Sequence, residues 1–236
     1  MDETTQLKLP LLQASQAQKH VTVNAALMRL DGLAQLRLQS ATTTTPPAAV
    51  VDGEAWFVPT GGTNAWAGQG GQIAIGDNGG WSFLAPMVGW RAWIVDTATD
   101  ALWDGSDWQP PRMAASPSGA AAKMQVLEFD HTIAAGANDI TSIQVPANAM
   151  VFAVSARVIA EITGTLTTWT FGINGSEGQF GTGLGLSLGS YCTGMQGSPT
   201  TWYSATGLKL SATGGDFAGG AVRIAAHYFT IDLPNL

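Results

Sequence analysis

Short apolar runs separated by glycine-containing turns fill residues 54–109 and constrain the fold more than any other feature of this chain. The pairs Asn78-Gly79 and Asp104-Gly105 are typical of tight turns between antiparallel strands. The runs predicted to be strands are residues 54–58, 72–75, 81–84, 90–95 and 100–103. Seven of the nine tryptophans lie within residues 56–108. The pattern therefore predicts a small, Trp-rich antiparallel β domain over residues 40–110.

A second set of longer apolar runs follows a stretch rich in Pro, Ala and Ser at residues 111–123, which we interpret as a linker. The predicted strands are residues 124–130, 139–145, 151–162, 166–173, 208–212 and 222–233. The last of these has apolar residues on both alternating faces and is expected to be buried on both. Residues 164–220 hold 15 of the 29 glycines, which favours long loops there. Residues 124–236 are predicted to form a β-sandwich or jelly roll.

The first 39 residues have a different character and are predicted to form an arm followed by a helix. Residues 4–20 are polar and Gln-rich, and Pro10 opposes a helix there. Asn24 is a suitable N-cap for a helix over residues 25–36. An apolar stripe at 4-3-4 spacing marks one face of that helix: Val23, Leu27, Leu30 and Ala34. A helix this short needs a partner, either its own domain or identical helices of other copies.

Charge and cysteine content exclude several classes of function. Charged residues make up 11% of the chain, against roughly 25% in typical soluble domains. The net charge of −7 and the absence of adjacent basic residues argue against binding to nucleic acid or to anionic membranes. Cys192 is the single cysteine, so no intrachain disulfide can form, and we expect it to be buried. No signal peptide or membrane-spanning run is evident, so we expect synthesis in the cytoplasm.

The sequence contains no recognisable catalytic or metal-binding motif. His20, His131 and His227 are dispersed, without the spacing of a zinc site, and we expect no metal and no cofactor. No G-x-S-x-G turn is present. A glycosidase needs two placed carboxylates, and spacing in the sequence cannot select a pair among 17 acidic residues. We therefore expect the protein not to be an enzyme.

Aromatic residues offer two possible surfaces for carbohydrate. The tryptophans of residues 56–108 could stack on sugars, but core packing is the favoured interpretation for a small β domain. Trp202 and Tyr203 lie in a Gly-rich region where exposed loops are expected. The predicted carbohydrate site combines these two residues with further aromatic and polar partners: Tyr191, Asp216 and Asn174. The alternative for the same residues is local packing or contact between subunits.

The segment 9–27, LPLLQASQAQKHVTVNAAL, together with Leu30-Asp31, resembles the opening motif of an uncharacterised domain family found in alphaproteobacterial prophages and gene transfer agents. The core SQAQKHVTVN is quite specific. The resemblance covers about residues 5–110 and continues through several short motifs: Asp52-Gly53-Glu54, Ala65-Trp66-Ala67-Gly68, Gly80-Trp81, Gly89-Trp90 and Leu102-Trp103-Asp104-Gly105. A weaker resemblance links Gly214-Gly215-Asp216-Phe217 and Gly219-Gly220 to the tail of such fibre proteins.

The resemblance implies a spike or fibre on a phage-like particle that adheres to polysaccharide of the host cell. It supplies no catalytic residues. On this hypothesis the chain is a homotrimer joined through the helix stripe, made in a bacterium and carried on the virion surface. The arm would dock into another virion protein through apolar and amide side chains: Leu9, Leu11, Leu12, Gln16 and Gln18. The alternatives are a locally packed arm, a spike component without a ligand and, least favoured, a polysaccharide depolymerase.

Overall fold

A computed structural model describes residues 3–13 and 19–235. The chain forms two compact units, Met1–Pro111 and Arg112–Leu236. It is mainly β, with one α-helix among the described residues. That helix has 16 residues and is too short and too polar to cross a bilayer.

The first unit contains a helix and a seven-stranded sheet. The helix α1 spans Lys19–Ala34, and a 3₁₀ turn spans Asn64–Trp66. The strands are β1 (Arg37–Leu38), β2 (Ala55–Phe57), β3 (Ile73–Asp77), β4 (Gly80–Leu84), β5 (Arg91–Ile94), β6 (Thr99–Trp103) and β7 (Trp108–Gln109). Their order in the sheet is β4-β3-β2-β1-β5-β6-β7. All five strands predicted in this region are confirmed within two residues at each end.

Hairpin turns explain most of the antiparallel pairing in this sheet. Asn78 and Gly79 both have positive φ, at 50° and 73°, as a two-residue turn of type I′ requires. This turn joins β3 and β4, with Asp77 paired to Gly80. A second short connection joins β5 and β6 through Ala98, whose φ is 50°. Tight turns can join only antiparallel strands, so these pairs follow directly from the sequence.

The short strand β1 makes the sheet mixed, which corrects the prediction of a purely antiparallel domain. It lies in the middle of the sheet and pairs in parallel with both β2 and β5. Long connections lead from β1 to each partner, and only such connections allow parallel pairing. Leu38 on β1 is fully buried in the core of the unit.

The second unit is a sandwich of two antiparallel sheets, as predicted. Its strands are β8 (Ala114–Ala115), β9 (Ala121–Thr132), β10 (Asn138–Val145), β11 (Ala149–Gly164), β12 (Thr168–Ile173), β13 (Ser176–Leu184), β14 (Tyr191–Trp202), β15 (Thr206–Thr213) and β16 (Phe217–Asp232). One sheet has the order β10-β15-β12-β13 and the other β14-β11-β16-β9-β8. The core between them includes Trp169, Phe171 and Leu210 from the first sheet and Val154 and Ile224 from the second.

Two features of the second unit differ from the sequence-based expectations. The predicted linker 111–123 contains β8 and the beginning of β9. The Gly-rich region predicted to be loops contains β13 and β14. Its glycines allow strands of the two sheets to approach each other closely. A Cβ on Gly194 would lie 2.5 Å from the Cβ of Phe180, on β13 of the other sheet.

The strand β16 is buried on one face only, contrary to expectation. Val222, Ile224 and Ala226 point into the core, whereas Arg223 on the opposite face is exposed. That opposite face, together with the matching residues of β14, β11 and β9, forms the outer face of the five-stranded sheet.

Candidate functional site

Four strands place a row of polar side chains across the outer face of the five-stranded sheet. Tyr191 on β14 pairs with Arg157 on β11, which pairs with Arg223 on β16 and then with Asp130 on β9. Side chains directly opposite one another on a sheet face are about 5 Å apart at Cβ. The register of the sheet thus brings together residues that are far apart in the sequence.

Tyr191 and Arg157 form an exposed aromatic and cationic pair. The Tyr191 side chain is 66% exposed, and the guanidinium carbon of Arg157 lies 5.3 Å from its ring centroid. A cation over an aromatic face contributes about 0.5–1 kcal/mol at an exposed position. The contact orients the tyrosine ring while leaving most of its area accessible to a ligand. We call these two residues the Arg157–Tyr191 site.

An ion pair borders this site. Arg223 donates from Nε and from a terminal nitrogen to the two carboxylate oxygens of Asp130, at 2.7 and 2.8 Å. The hydrogen bonds from Arg223 and its charge hold the pKa of Asp130 below its usual value, and Asp130 raises the pKa of Arg223. Asp130 neutralises Arg223, and within residues 3–13 and 19–235 Arg157 forms no ion pair with an acidic side chain, so the Arg157 guanidinium supplies the unpaired positive charge of this row.

A shallow hollow of about 250 Å³ lies beside the pair. The residues that line it include Glu128, Ser155 and Thr193, which contribute a carboxylate and two hydroxyl groups. Pockets for small molecules usually measure about 300–1,000 Å³, so this one could hold a single sugar ring or a similar polar group. An aromatic face, two hydroxyls and groups of both charges can together hold a polyhydroxylated ligand.

Cys192, next to Tyr191, faces the core and is buried, as predicted. Burial raises the pKa of its thiol above the usual value, and the backbone at Ala156 only partly offsets this effect. A thiol held in its neutral form in the core has no role on the outer face.

The structure does not assemble the predicted carbohydrate site. Trp202 is only 7% exposed and packs in the sandwich core, with its ring centroid 6.3 Å from that of Phe180. The expectation of a surface role for Trp202 is therefore wrong. It ends β14 with its side chain on the inner face, whereas its neighbour Tyr203 is 80% exposed.

The remaining predicted residues lie far from one another. Trp202 pairs with Ala149 and Tyr191 with Arg157, eight residues further along β11, so Trp202 and Tyr191 are roughly 26 Å apart along the strand and Tyr203 lies one residue further away. Asp216 lies beyond the other end of β11, where its N–H donates to Thr165 Oγ1 at 3.0 Å.

Asn174 lies in the turn between β12 and β13, on the other sheet of the sandwich, where its side-chain oxygen is 3.5 Å from Lys209 Nζ. Tyr191 is the one predicted residue on the candidate site. Arg157 was missed, although an outward-facing arginine in the apolar run of β11 is a detectable signal.

The predicted helix exists but begins earlier than expected. It starts at Lys19, so Asn24 lies inside it and is not its N-cap. The Asn24 side chain instead accepts from the N–H of Leu12 at 2.9 Å and donates to the Leu12 carbonyl at 3.0 Å. The Asn24 side chain therefore links the helix to the arm and does not cap the helix.

The apolar stripe of the helix points away from the sheet of its own unit. Val23 and Leu30 are 41% and 51% exposed, Ala34 is exposed and Leu27 is partly buried. The opposite side of the helix approaches β3, where a Cβ on Gly32 would lie 2.9 Å from Ile75 Cδ1. The stripe is therefore available to another molecule, while its role in oligomerisation stays a prediction.

The N-terminal arm folds onto its own unit around a buried carboxylate. Asp31 is fully buried and accepts hydrogen bonds from Thr4 Oγ1 at 2.6 Å, from the N–H of Gln6 at 2.9 Å and from that of Leu7 at 2.6 Å. Burial raises the pKa of Asp31, but these three bonds and the charge of Lys8 outweigh that effect, so the pKa lies below its usual value.

This geometry agrees with the alternative of a locally packed arm for residues 3–13. Among the predicted attachment residues, Leu9 and Leu11 are partly buried, and Leu12 is half exposed. Gln16 and Gln18 lie outside the described residues. Most side chains of residues 3–13 remain exposed, and docking of the arm into another virion protein stays a prediction.

One family model matches part of the first unit. Residues 23–109 match the profile of a family described as "Protein of unknown function (DUF2793)". The match supports the resemblance of the N-terminal region to an uncharacterised domain family. A search of the curated proteins found no match.

Solved structures give a weaker similarity. A chain described as "Cyanophage Pam1 capsid asymmetric unit" matches with 20% sequence identity and a TM-score of 0.33, covering 50% of this chain and 93% of that chain.

Proposed function

We propose that this chain is a non-catalytic surface protein of a phage-like particle, a spike or fibre, whose second unit binds polysaccharide of the host cell. The Arg157–Tyr191 site is the observation that carries the binding proposal, since it presents an exposed aromatic ring, a guanidinium and hydroxyl groups on one face. The particle is suggested by the resemblance of residues 5–110 to prophage and gene transfer agent domains.

Saccharide suits this site better than an apolar ligand. The hollow is small and its lining includes a carboxylate, a guanidinium and two hydroxyls, whereas an apolar ligand would need a deeper pocket. A pyranose ring can lay its C–H face on Tyr191 while its hydroxyls bond to Ser155, Thr193 or Glu128. A single shallow site of this kind binds weakly, so adhesion would need several copies.

The exposed stripe of α1 supports a homotrimer as the source of those copies. Val23 and Leu30 are apolar residues exposed to solvent, and contact with identical helices of other copies would bury them. Linking three weak sites raises the overall affinity by a factor of about 10²–10⁴ when they engage one surface. Light scattering on the purified chain is expected to give three times 24.5 kDa.

The carboxylates beside the site support binding without hydrolysis. A glycosidase acid must hold a proton near neutral pH, which requires a raised pKa. The pKa of Asp130 is instead lowered by its hydrogen bonds with Arg223. Incubation with host polysaccharide is therefore expected to release no oligosaccharide.

Two exposed tyrosines, one at the start of β14 and one just after its end, provide a matched test of the binding site. Tyr191→Ala is expected to lower binding of the full chain to host polysaccharide by roughly threefold to tenfold, because one aromatic contact is worth about 0.5–1.5 kcal/mol. Tyr203→Ala removes a tyrosine that is also exposed, at 80%, just beyond the other end of β14, and should leave binding unchanged. Equal effects of the two substitutions would contradict the site.

The remaining alternative is a structural spike component without its own ligand. The exposed apolar stripe of α1 and the low charge content of the chain favour it, because such a surface serves assembly rather than adhesion. Under that alternative, particles carrying Tyr191→Ala would adsorb to host cells as well as unaltered particles do.

A further inference from the structure

Trp93 is the exception among the tryptophans of this chain. All nine lie in the described residues, and the other eight are buried or half-buried. Trp56, Trp66 and Trp81 pack against one another, and Trp103 and Trp108 pack on Phe57. Trp93 is 40% exposed. It lies on the face of the first unit's sheet opposite to the cluster of Phe57, Trp103 and Trp108.

The strands around Trp93 present charged side chains on the same face. Arg37 on β1 and Asp100 on β6 pair directly with Trp93 on β5, one on each side. Arg91 lies two residues before Trp93 on β5, on the same face and roughly 7 Å away along the strand. The register therefore surrounds an exposed indole with two guanidinium groups and one carboxylate.

These residues line a cleft of about 430 Å³. The last turn of α1 and the residue after it form one wall, with Leu33, Ala34 and Gln35. The volume is within the range of small-molecule sites. Unlike the clusters that fill the core, this tryptophan faces a space large enough for a ligand.

The two arginines that line the cleft are not neutralised by an acidic side chain of the described residues. Within the described part of the chain, Arg37 and Arg91 form no ion pair with an acidic side chain. Two arginines against one aspartate leave a local excess of positive charge in a protein whose net charge is −7. Such a site favours an anionic ligand, and a guanidinium fits a carboxylate with two parallel hydrogen bonds.

We propose that this Trp93 cleft, made by Trp93, Arg37, Arg91 and Asp100, binds a saccharide that bears a carboxylate. The sugar ring stacks on the indole of Trp93. The carboxylate accepts hydrogen bonds from Arg91 or Arg37, and a hydroxyl donates to Asp100. The cleft belongs to the first unit and does not depend on the Arg157–Tyr191 site, so either can fail alone.

Titration calorimetry of the full chain with short oligogalacturonides tests the proposal, with malto-oligosaccharides of equal length as the neutral comparison. Binding of the acidic sugar is expected, with at least tenfold weaker binding of the neutral one. The affinity should fall as salt rises, because exposed charges are screened. No binding of the acidic sugar, or equal binding of both, overturns the proposal.

Substitutions locate the binding. Trp93→Ala is expected to weaken acidic-sugar binding at least tenfold, Trp93→Phe to retain most of it, and Arg91→Gln to remove the preference for the acidic sugar. Tyr191→Ala should leave this binding unchanged, which separates the Trp93 cleft from the proposed function. An unchanged melting temperature confirms that the variants fold. If Trp93→Ala instead dissociates an oligomer in light scattering, the face is a subunit contact and the proposal is wrong.

Discussion

The strands of the first unit are two to five residues long, whereas β11 and β16 of the second unit have 16 residues each. Short strands form few backbone hydrogen bonds, so the first unit depends on aromatic clusters and on the buried Asp31 that holds the arm. In the second unit, β16 and β9 align over 12 consecutive pairs without a bulge. Stability is thus concentrated in a few side chains in one unit and spread along ladders in the other.

The largest effect is expected from loss of a single aromatic residue in the first unit. Trp66 is fully buried, and its ring centroid lies 5.9 Å from that of Trp56 and 5.4 Å from that of Trp81. Trp66→Ala should lower the free energy of unfolding of this unit by about 3–5 kcal/mol, measured by denaturant titration. Trp93→Ala is the control and should cost far less, since Trp93 is exposed. Similar losses would mean that the aromatic clusters are not the source of stability.

The buried carboxylate gives the next largest effect. Asp31→Asn replaces an acceptor of three hydrogen bonds with an amide whose NH₂ group faces donors. We expect a loss of about 2–4 kcal/mol in the stability of the arm's attachment, seen as faster hydrogen exchange at the N–H groups of Gln6 and Leu7. Asp52→Asn is the control, because Asp52 is exposed and accepts one long bond, from Gly79 at 3.3 Å. Unchanged exchange in the Asp31 variant would show that the arm is held by other contacts.

Acid should release the arm by the same route. The pKa of Asp31 in the folded protein lies below its ordinary value of 3.8. The carboxylate therefore contributes stability above pH 3.8, and this contribution is lost as the pH falls through the lower, folded pKa. The amide signal of Leu7, followed by NMR from pH 6 downward, should stay constant to about pH 4 and shift below it. A shift centred above pH 4 would contradict the inferred hydrogen bonding.

Turn chemistry and alternation predicted much of this fold. Asn78-Gly79 specified a hairpin, and the alternating residues of β16 specified a long strand. The central strand β1 has two residues and no pattern, so its parallel pairing could not be foreseen. The Arg157–Tyr191 site was missed because it depends on the register between two strands whose residues are 34 positions apart.

The second unit should tolerate Gly→Ala substitutions in β14 except where its strands approach each other closely. A Cβ on Gly194 would collide with Phe180, whereas one on Gly197, in the same strand, would meet nothing within 4 Å. Gly194→Ala is expected to destabilise the second unit by about 1–3 kcal/mol, through displacement of a core residue. Gly197→Ala should be neutral. Thermal unfolding of the two variants measures the difference, and equal melting temperatures would refute this account of the glycines in β14.

The smallest effect is expected from Asp130→Asn, which makes the same chemical change as Asp31→Asn at an exposed position. Asp130 accepts two short hydrogen bonds from Arg223, yet both side chains are about half exposed, at 50% and 51%. Water replaces the lost bonds at such a site, and exposed ion pairs contribute little to stability. The melting temperature should therefore not change measurably, although the same change at Asp31 is expected to weaken the attachment of the arm. A clear drop in the melting temperature would mean that the Asp130–Arg223 pair stabilises the β9–β16 ladder and that the second unit, like the first, depends on single side chains.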